Sequence, residues 1–356
     1  MNARVKKIKE HLTAKKLDAI LIKNPYNIRY FSNFVGSDAL VLITTERDYL
    51  LTDFRYIEQA KKQAQNFQVI DTNKKQNECL QKIFIENNIE QLGFEENFMV
   101  YQAYENFLQT FKSIKLVPIN QMIIGLRLIK DEHEKQALRK AAGLADEAFS
   151  YIVSRIKPGV TELEISLDIE FFLRRNGSEA RPFDFIVASG KRAALPHGTA
   201  TEKKISKGEM VVLDFGAVVD GYCSDITRTV FVGEPDNKQK NIYKIVLQAQ
   251  KIGIEGILSG ITCQQADELS RKVIVEQGYG EFFGHALGHG VGLEVHEEPR
   301  VAFGNELILQ PGMVITVEPG IYIKDWGGIR IEDMLIINKN NSEVLTKSSK
   351  ELHVLC

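Results

Sequence analysis

The sequence lacks the features that would tie it to a membrane, a secretory route or a nucleic acid. No apolar run approaches the roughly 20 residues of a bilayer span. The basic start (Arg4, Lys6, Lys7) is not followed by an apolar signal segment. The four cysteines, Cys79, Cys223, Cys263 and Cys356, are scattered with no C-x-x-C pair. Neither a disulfide framework nor a cysteine metal site is therefore indicated, and a reducing, cytoplasmic setting fits. Lys+Arg (45) and Asp+Glu (47) nearly cancel to a net charge of -2 with no long basic block, so there is no electrostatic footprint for nucleic acid or an anionic membrane. What remains is 356 residues of ordinary hydrophobic content (44%), enough for two domains.

Along the first part, short apolar runs alternate with amphipathic stretches, the rhythm of an α/β layer fold. Val5, Ile8 and Leu12 have helical spacing; Ala19 to Ile22 reads as a strand, Asn24-Pro25 as a turn, and Leu40 to Thr44 with Tyr49 to Thr52 as a hairpin. Helices are predicted over about 56–65, 79–86 and 101–111, with strands near Val69, Leu92 and Leu116. No catalytic motif lies here, and the expected role is to cover a site or make an oligomer contact. Asp131 with Glu134 forms a capping-box variant that opens a long helix closed by Pro158-Gly159. The domain boundary is placed just upstream, between Asn120 and Lys130.

Beyond it the sequence repeats. Pro158-Gly159-Val160-Thr161, a helix and Asn176-Gly177 return as Ser259-Gly260-Ile261-Thr262, a helix and Gln277-Gly278. Gly208 to Gly216 returns as Gly312 to Gly320, each copy placing an acid, Asp214 or Glu318, at a strand end. Identity between the copies is low; taken together the two matches predict a duplicated α/β half. Between the second pair of repeats lies FFGHALGHGVGLEVHEEP, residues 282–299, with His285, His289 and His296 among four glycines. That glycine density is wrong for a helix interior, so the backbone here is expected to come close to something. His285 and His289 have zincin spacing, but Ala286 stands where a zincin needs its Glu. A loop whose histidines are satisfied by backbone partners is the competing reading.

The acids decide between them. Asp220-Gly221 is a strong two-residue hairpin signal; such a turn sets residue 216 opposite 225 and makes Asp225 the diagonal neighbour of Asp214. Glu318 ends the strand Val314 to Val317, and Glu332 lies in a strand predicted over Gly328 to Ile337, with Arg330 on the same face. Four carboxylates projected from apolar strands are costly to bury ionised without partners. Arg228 or Arg330 can pair one of them, whereas divalent cations can neutralise all. With a histidine added, the set describes a co-catalytic two-metal site.

The motifs VVLDFG…GYCSDITRT, FGHALGHGVGLEVHEEP, GMVITVEPG and GIRIEDM resemble those of the pita-bread metallopeptidases: prolidase, aminopeptidase P and methionine aminopeptidase. The likeness covers residues 121–356, and NIRYFSNFVGSDALVLI looks like part of the creatinase/prolidase N-terminal domain. It implies an α/β (α+β) chain, with a creatinase/prolidase-like α/β domain over residues 1–125 and a pseudo-twofold pita-bread catalytic domain over 126–356. It further implies that Asp214, Asp225, His289, Glu318 and Glu332 are metal ligands, and that His197, His285 and His296 surround the substrate. The long N-terminal domain argues against a simple methionine aminopeptidase, and the intact ligand set against creatinase and against a silent binding module.

One imidazole among carboxylates is a hard donor set suited to two Mn²⁺, or to Co²⁺ or Zn²⁺. A hydroxide shared by two such ions is the expected nucleophile. Glu318 is expected to carry its proton to the leaving nitrogen, His285 and His296 to donate to the developing oxyanion, and Arg330 to orient a ligand carboxylate. The expected activity is hydrolysis of Xaa-Pro bonds in small peptides with proline at the second position. It is assigned to a dipeptidase of the prolidase kind, with an aminopeptidase P acting on longer peptides as the alternative. The likeness also suggests a homodimer.

Overall fold

In the computed structural model, which describes residues 3–355, Val5, Ile8 and Leu12 are buried along one face of helix α1 (Ala3–Lys15). The first of two units ends at Arg127 and is built on one sheet. Its further elements are β1 (Ala19–Ile22), α2 (Pro25–Ser32), β2 (Ala39–Thr44), β3 (Asp48–Thr52), α3 (Ile57–Gln63), β4 (Gln68–Asp71), α4 (Gln76–Glu86), β5 (Gln91–Phe94), α5 (Tyr101–Thr110), β6 (Lys115–Pro118) and α6 (Asn120–Leu128). The strand order is β4-β3-β2-β1-β5-β6, antiparallel through the β1-β2-β3 meander and parallel elsewhere. One expectation needs correction. Asn24-Pro25 is not merely a turn: the Asn24 side chain accepts from Tyr26 N and caps α2, with Pro25 at the first helical position, where its missing N–H costs nothing. The units divide after Arg127, near the end of α6, which is fastened to the first unit by Tyr30 Oη donating to Leu126 O (3.0 Å) and Arg127 donating to Asn27 (2.8 Å).

The second unit begins at Leu128. It contains α7 (Glu132–Val153), α8 (Glu162–Arg175), β7 (Ile186–Ser189), β8 (Met210–Phe215), β9 (Val218–Val219), β10 (Tyr222–Cys223) and β11 (Ile226–Val232). The second half follows as α9 (Asn237–Gly256), α10 (Cys263–Glu276), β12 (Gly288–Gly290), β13 (Glu297–Val301), β14 (Val314–Val317), β15 (Gly320–Ile323), β16 (Gly327–Arg330) and β17 (Asp333–Ile337), with β18 (Ser342–Val344) and β19 (His353–Leu355) closing the chain. The repeats fall on equivalent elements. Thr161 with Glu164 and Thr262 with Gln265 form capping boxes on α8 and α10, and Gly159 and Gly260 precede them at φ +94° and +102°. A third match, unread in the sequence, pairs the capping boxes of α7 (Asp131, Glu134) and α9 (Asp236, Gln239).

Strand alternation positions the site. In β8, Val211, Leu213 and Phe215 pack with α7 and α8, so Asp214 continues the opposite face, that of Met210 and Val212. In β11, Ile226, Val230 and Val232 join the same helices, and Asp225, Thr227 and Thr229 point the other way. In the second half, Ile315, Val317, Leu335 and Ile337 pack with α9 and α10, which turns Thr316, Glu318 and Glu332 inward. Asp220 and Gly221 both adopt positive φ, 51° and 82°, as a type I′ turn requires. The register set there, Val219↔Tyr222, runs unchanged to Phe215↔Ile226, so Gly216 faces Asp225 as expected. A Cβ on Gly216 would lie 1.8 Å from the Ser224 carbonyl oxygen, which is why glycine stands there. The strand predicted over Gly328 to Ile337 breaks at Ile331–Glu332 into β16 and β17, which belong to different sheets. The freed Glu332 N–H donates to Thr227 O (3.1 Å), joining the two halves at the break. Among the described residues no helix is long and apolar enough to cross a membrane.

Candidate metal centre

Five side chains converge: Asp214 from β8, Asp225 just before β11, His289 from β12, Glu318 just after β14 and Glu332 at the β16–β17 break. His289 is held at both ends: its N–H donates to Thr316 Oγ1 (3.1 Å), and its Nδ1 lies 3.0 Å from the Gly290 carbonyl. A carbonyl can only accept, so Nδ1 carries the proton and Nε2 presents a lone pair, 3.7 Å from Asp225 Oδ2 and 3.4 Å from Glu318 Oε1. Burial, and then the neighbouring His296, lower the His289 pKa to about 4, which keeps the ring neutral. Donor atoms of Asp225, His289 and Glu332 lie within 4.8 Å of one another. The registers Val317↔Asp333 and Gly320↔Arg330 set Glu318 opposite Glu332 across the break.

The acids are short of protein partners. Glu332 accepts from the Thr227 hydroxyl (2.6 Å), and Thr316 Oγ1 reaches Glu318 only at 3.4 Å. Asp214 Oδ2 pairs with Arg330, but Asp214 Oδ1 and Asp225 Oδ1 are buried with no hydrogen-bond partner. Burial, then the charges of Glu332, Asp214 and Glu318, push the Asp225 carboxyl far above the usual range. Glu332 is raised in the same way, by burial and then by Glu318 and Asp214. Burial lifts Glu318 to about 8 against the pull of Arg330. Orphaned buried oxygens and mutually repelling acids around a neutral imidazole are what a site for divalent cations requires. The two arginines weighed against this divide their work: Arg330 pairs Asp214, while Arg228 is committed to Asp333 (2.7 Å) and touches the cluster only through the Thr227 and Glu332 carbonyls.

The glycines of the histidine stretch do come close to something, but it is their own protein. Cβ atoms on Gly288 and Gly290 would lie 2.0 and 2.2 Å from the carbonyl oxygens of Thr316 and Glu298, and one on Gly292 would strike the Glu297 carboxylate. His296 sets its ring edge-on to His289, centroids 4.5 Å apart. His197 is exposed and lies within electrostatic reach of both His285 and His296. His285 differs from expectation. Its Nδ1 lies 2.8 Å from Ala286 O and must be the donor, so Nε2 is left to accept the Tyr322 hydroxyl (3.1 Å). With both nitrogens used, His285 presents no N–H to an oxyanion in this arrangement. Tyr322 was missed in the sequence. It accepts from Arg330 Nη1 (2.8 Å) and links that guanidinium to His285. The signal was present, since Tyr322 shares the inward parity of Glu318.

Comparison with known proteins now adds to the geometry. A sequence model described as "Metallopeptidase family M24" matches residues 136–339, and one described as "Creatinase/Prolidase N-terminal domain" matches 4–129. The chain belongs to metallopeptidase family M24. Its relatives in this family include a protein of Pyrococcus horikoshii named Xaa-Pro dipeptidase, 43% identical and aligned over 99% of both chains. Among solved structures, an Xaa-Pro dipeptidase from Bacillus anthracis superposes with a TM-score of 0.96 at 46% identity, covering 99% of each chain. An X-Pro aminopeptidase from Thermotoga maritima superposes at 0.92 with 38% identity, covering 98% of this chain and 100% of the other. Membership carries a divalent-metal requirement, which the donor set above fits.

Proposed function

We propose that this M24 peptidase hydrolyses Xaa-Pro bonds with two divalent cations held by Asp214, Asp225, His289, Glu318 and Glu332. The observation that carries the reading is the gathering of three buried carboxylates, Asp214, Asp225 and Glu332, and the half-buried Glu318 about one neutral imidazole, with two carboxylate oxygens lacking any protein donor. Carboxylate oxygens with a single nitrogen favour Mn²⁺ over thiolate-seeking metals, with Co²⁺ or Zn²⁺ as substitutes. When bound, such a pair supplies a water that is nucleophilic at neutral pH and polarises the scissile carbonyl.

The chain's own groups do the rest. Glu318, as the ionised carboxylate, accepts the proton of the attacking water and delivers it to the leaving nitrogen. The leaving nitrogen must gain a proton as the C–N bond breaks, and this delivery releases proline as a secondary amine. His296 donates to the developing oxyanion. His285 supports it indirectly by ordering Tyr322, and Arg330 orients Asp214. His197 and His296 line the substrate side. The relatives named Xaa-Pro dipeptidase favour a dipeptide substrate, and the Thermotoga maritima structure keeps the aminopeptidase alternative in view. A cytoplasmic homodimer goes with this reading and is checked by sedimentation of the Mn²⁺-loaded protein. The deciding experiment compares Ala-Pro, Ala-Pro-Ala and Ala-Ala with added Mn²⁺. Preference for Ala-Pro is expected, preference for the tripeptide moves the assignment to the aminopeptidase, and efficient cleavage of Ala-Ala alone removes the proline reading.

A further inference from the structure

One fully buried carboxylate of the M24 unit has no part in the chemistry above. Glu162, the first residue of α8, is 0% exposed. Its Oε1 accepts from the Ser189 N–H (2.7 Å) and hydroxyl (2.8 Å). Its Oε2 accepts from the Arg192 guanidinium, the Thr201 hydroxyl (2.8 Å) and the Thr201 N–H (3.3 Å). Ser189 ends β7, Arg192 lies in the following 3-10 turn (Gly190–Ala194), and Thr201 stands where the chain returns. A single carboxylate thus holds the start, the middle and the end of one excursion. Arg192 also donates to Thr199 O (2.8 Å), and Lys203 Nζ donates to Ser189 Oγ (2.7 Å) and pairs with Glu209 (2.8 Å), closing the base from outside.

The excursion carries His197 and leans on the carboxylate cluster. Pro196 O accepts from Arg330 Nη1 (3.1 Å), and the Ala193 carbonyl lies so near Gly328 that a Cβ there would sit 2.2 Å from it. A carboxylate this far from water is costly unless its oxygens are met by donors. Here every donor comes from this one segment, so the strength of the site is spent on the segment's shape.

We propose that Glu162 is a positioning residue which, by clamping residues 189–201, fixes His197 on the substrate side of the carboxylate cluster. This rests on the assignment of His197 to substrate made under the proposed function. The test is a double-mutant cycle of Glu162→Gln and His197→Ala, read as kcat/KM on Ala-Pro with Mn²⁺, together with bound metal and hydrogen exchange. The amide of Gln turns a donor toward Arg192 and Thr201 while sparing the Ser189 contacts. Loss of about 10- to 100-fold is expected, the range for a supporting contact, with metal content unchanged and the double variant no slower than His197→Ala alone. Exchange over residues 190–201 should accelerate while 285–296 stay protected. Multiplicative losses, lost metal or unaltered exchange would each overturn the proposal. Thr201→Val, which removes one outer donor, should shift the same readouts less, and it serves if the Gln variant does not fold. Exchange needs no turnover, so a wild-type chain inactive on every proline peptide would unseat the proposed reaction while the clamp is still judged.

Discussion

In the first half of the M24 unit Asp214 and Asp225 are diagonal neighbours, whereas in the second Glu318 and Glu332 stand directly opposite each other; in both halves the register carries on unshifted across a gap in the strand pairing. Everything behind the site is held in common: helices capped alike, positive-φ glycines at the same places, and a helix pair covering one sheet face. The halves differ where side chains meet. Diagonal partners across a sheet are about 7–8 Å apart, so two short aspartates reach toward a shared point without colliding. Direct partners are closer, about 4.5–5.5 Å apart, and there the longer glutamates and the break at Ile331–Glu332 let the carboxylates splay. Duplication supplied a frame, and the chemistry came from departing from it, since only the second half contributes a histidine to the carboxylates.

The sharpest way to break this comparison is to remove one acid from the half that lacks the histidine. Asp225→Asn should abolish turnover and lower bound Mn²⁺ while circular dichroism stays close to wild type; unchanged activity and metal content would mean the first half is scaffold only. Next come two of the histidines of the second half. His296→Ala should keep its metal and lose about 10²- to 10³-fold in turnover, the cost of one oxyanion donor, whereas His289→Ala should lose the metal as well. Equal metal loss in both would show the roles to be wrongly divided.

Metal removal probes the repulsion between the halves. The ordinary Glu318 pKa of 4.5 rises to about 8 in the folded protein, so between those values the folded state holds a proton that the unfolded chain has released. Stability of the metal-free protein should therefore fall as pH rises through this window, Asp225 and Glu332 acting in the same direction. Melting from pH 5 to 8, with and without Mn²⁺, should show the decline only in the stripped protein. The smallest contrast concerns two threonines. Thr227→Val breaks a 2.6 Å bond to Glu332 and removes an acceptor from Arg330, and should cost about 10- to 100-fold in activity or metal affinity. Thr316→Val breaks only a 3.4 Å contact to Glu318 and an N–H bond from His289, and should cost less.

Much of this was legible in the sequence because it rests on short-range rules. Asp220-Gly221 set a register that carried Asp225 to its place, and Thr161 and Thr262 announced two helices through their caps. What was not legible depends on partners distant in sequence. Nothing local in GGIRIED says that the strand breaks before Glu332, since the break is stabilised by the Thr227 carbonyl from the other half. His285 looked like a free donor because its second partner, Tyr322, lies 37 residues further on. Glu162 drew no notice for the same reason, its partners Ser189, Arg192 and Thr201 lying 27 to 39 residues further on. Helix α9 was overlooked although Asp236 and Gln239 spell its cap, an omission of reading and not of signal.

The contacts of Gly288 and Gly290 also bear on how this protein can change. With carbonyl oxygens where any Cβ would go, neither position admits even alanine without moving β13 or β14, and those strands frame His289. Gly284, with nothing within 4 Å of a notional Cβ, is free to vary. A library built to retune substrate choice would find viable variants at Gly284, while Gly288 and Gly290 return almost none. The frame around the imidazole is thereby frozen against drift, and new specificities have to be reached through the loops that face it.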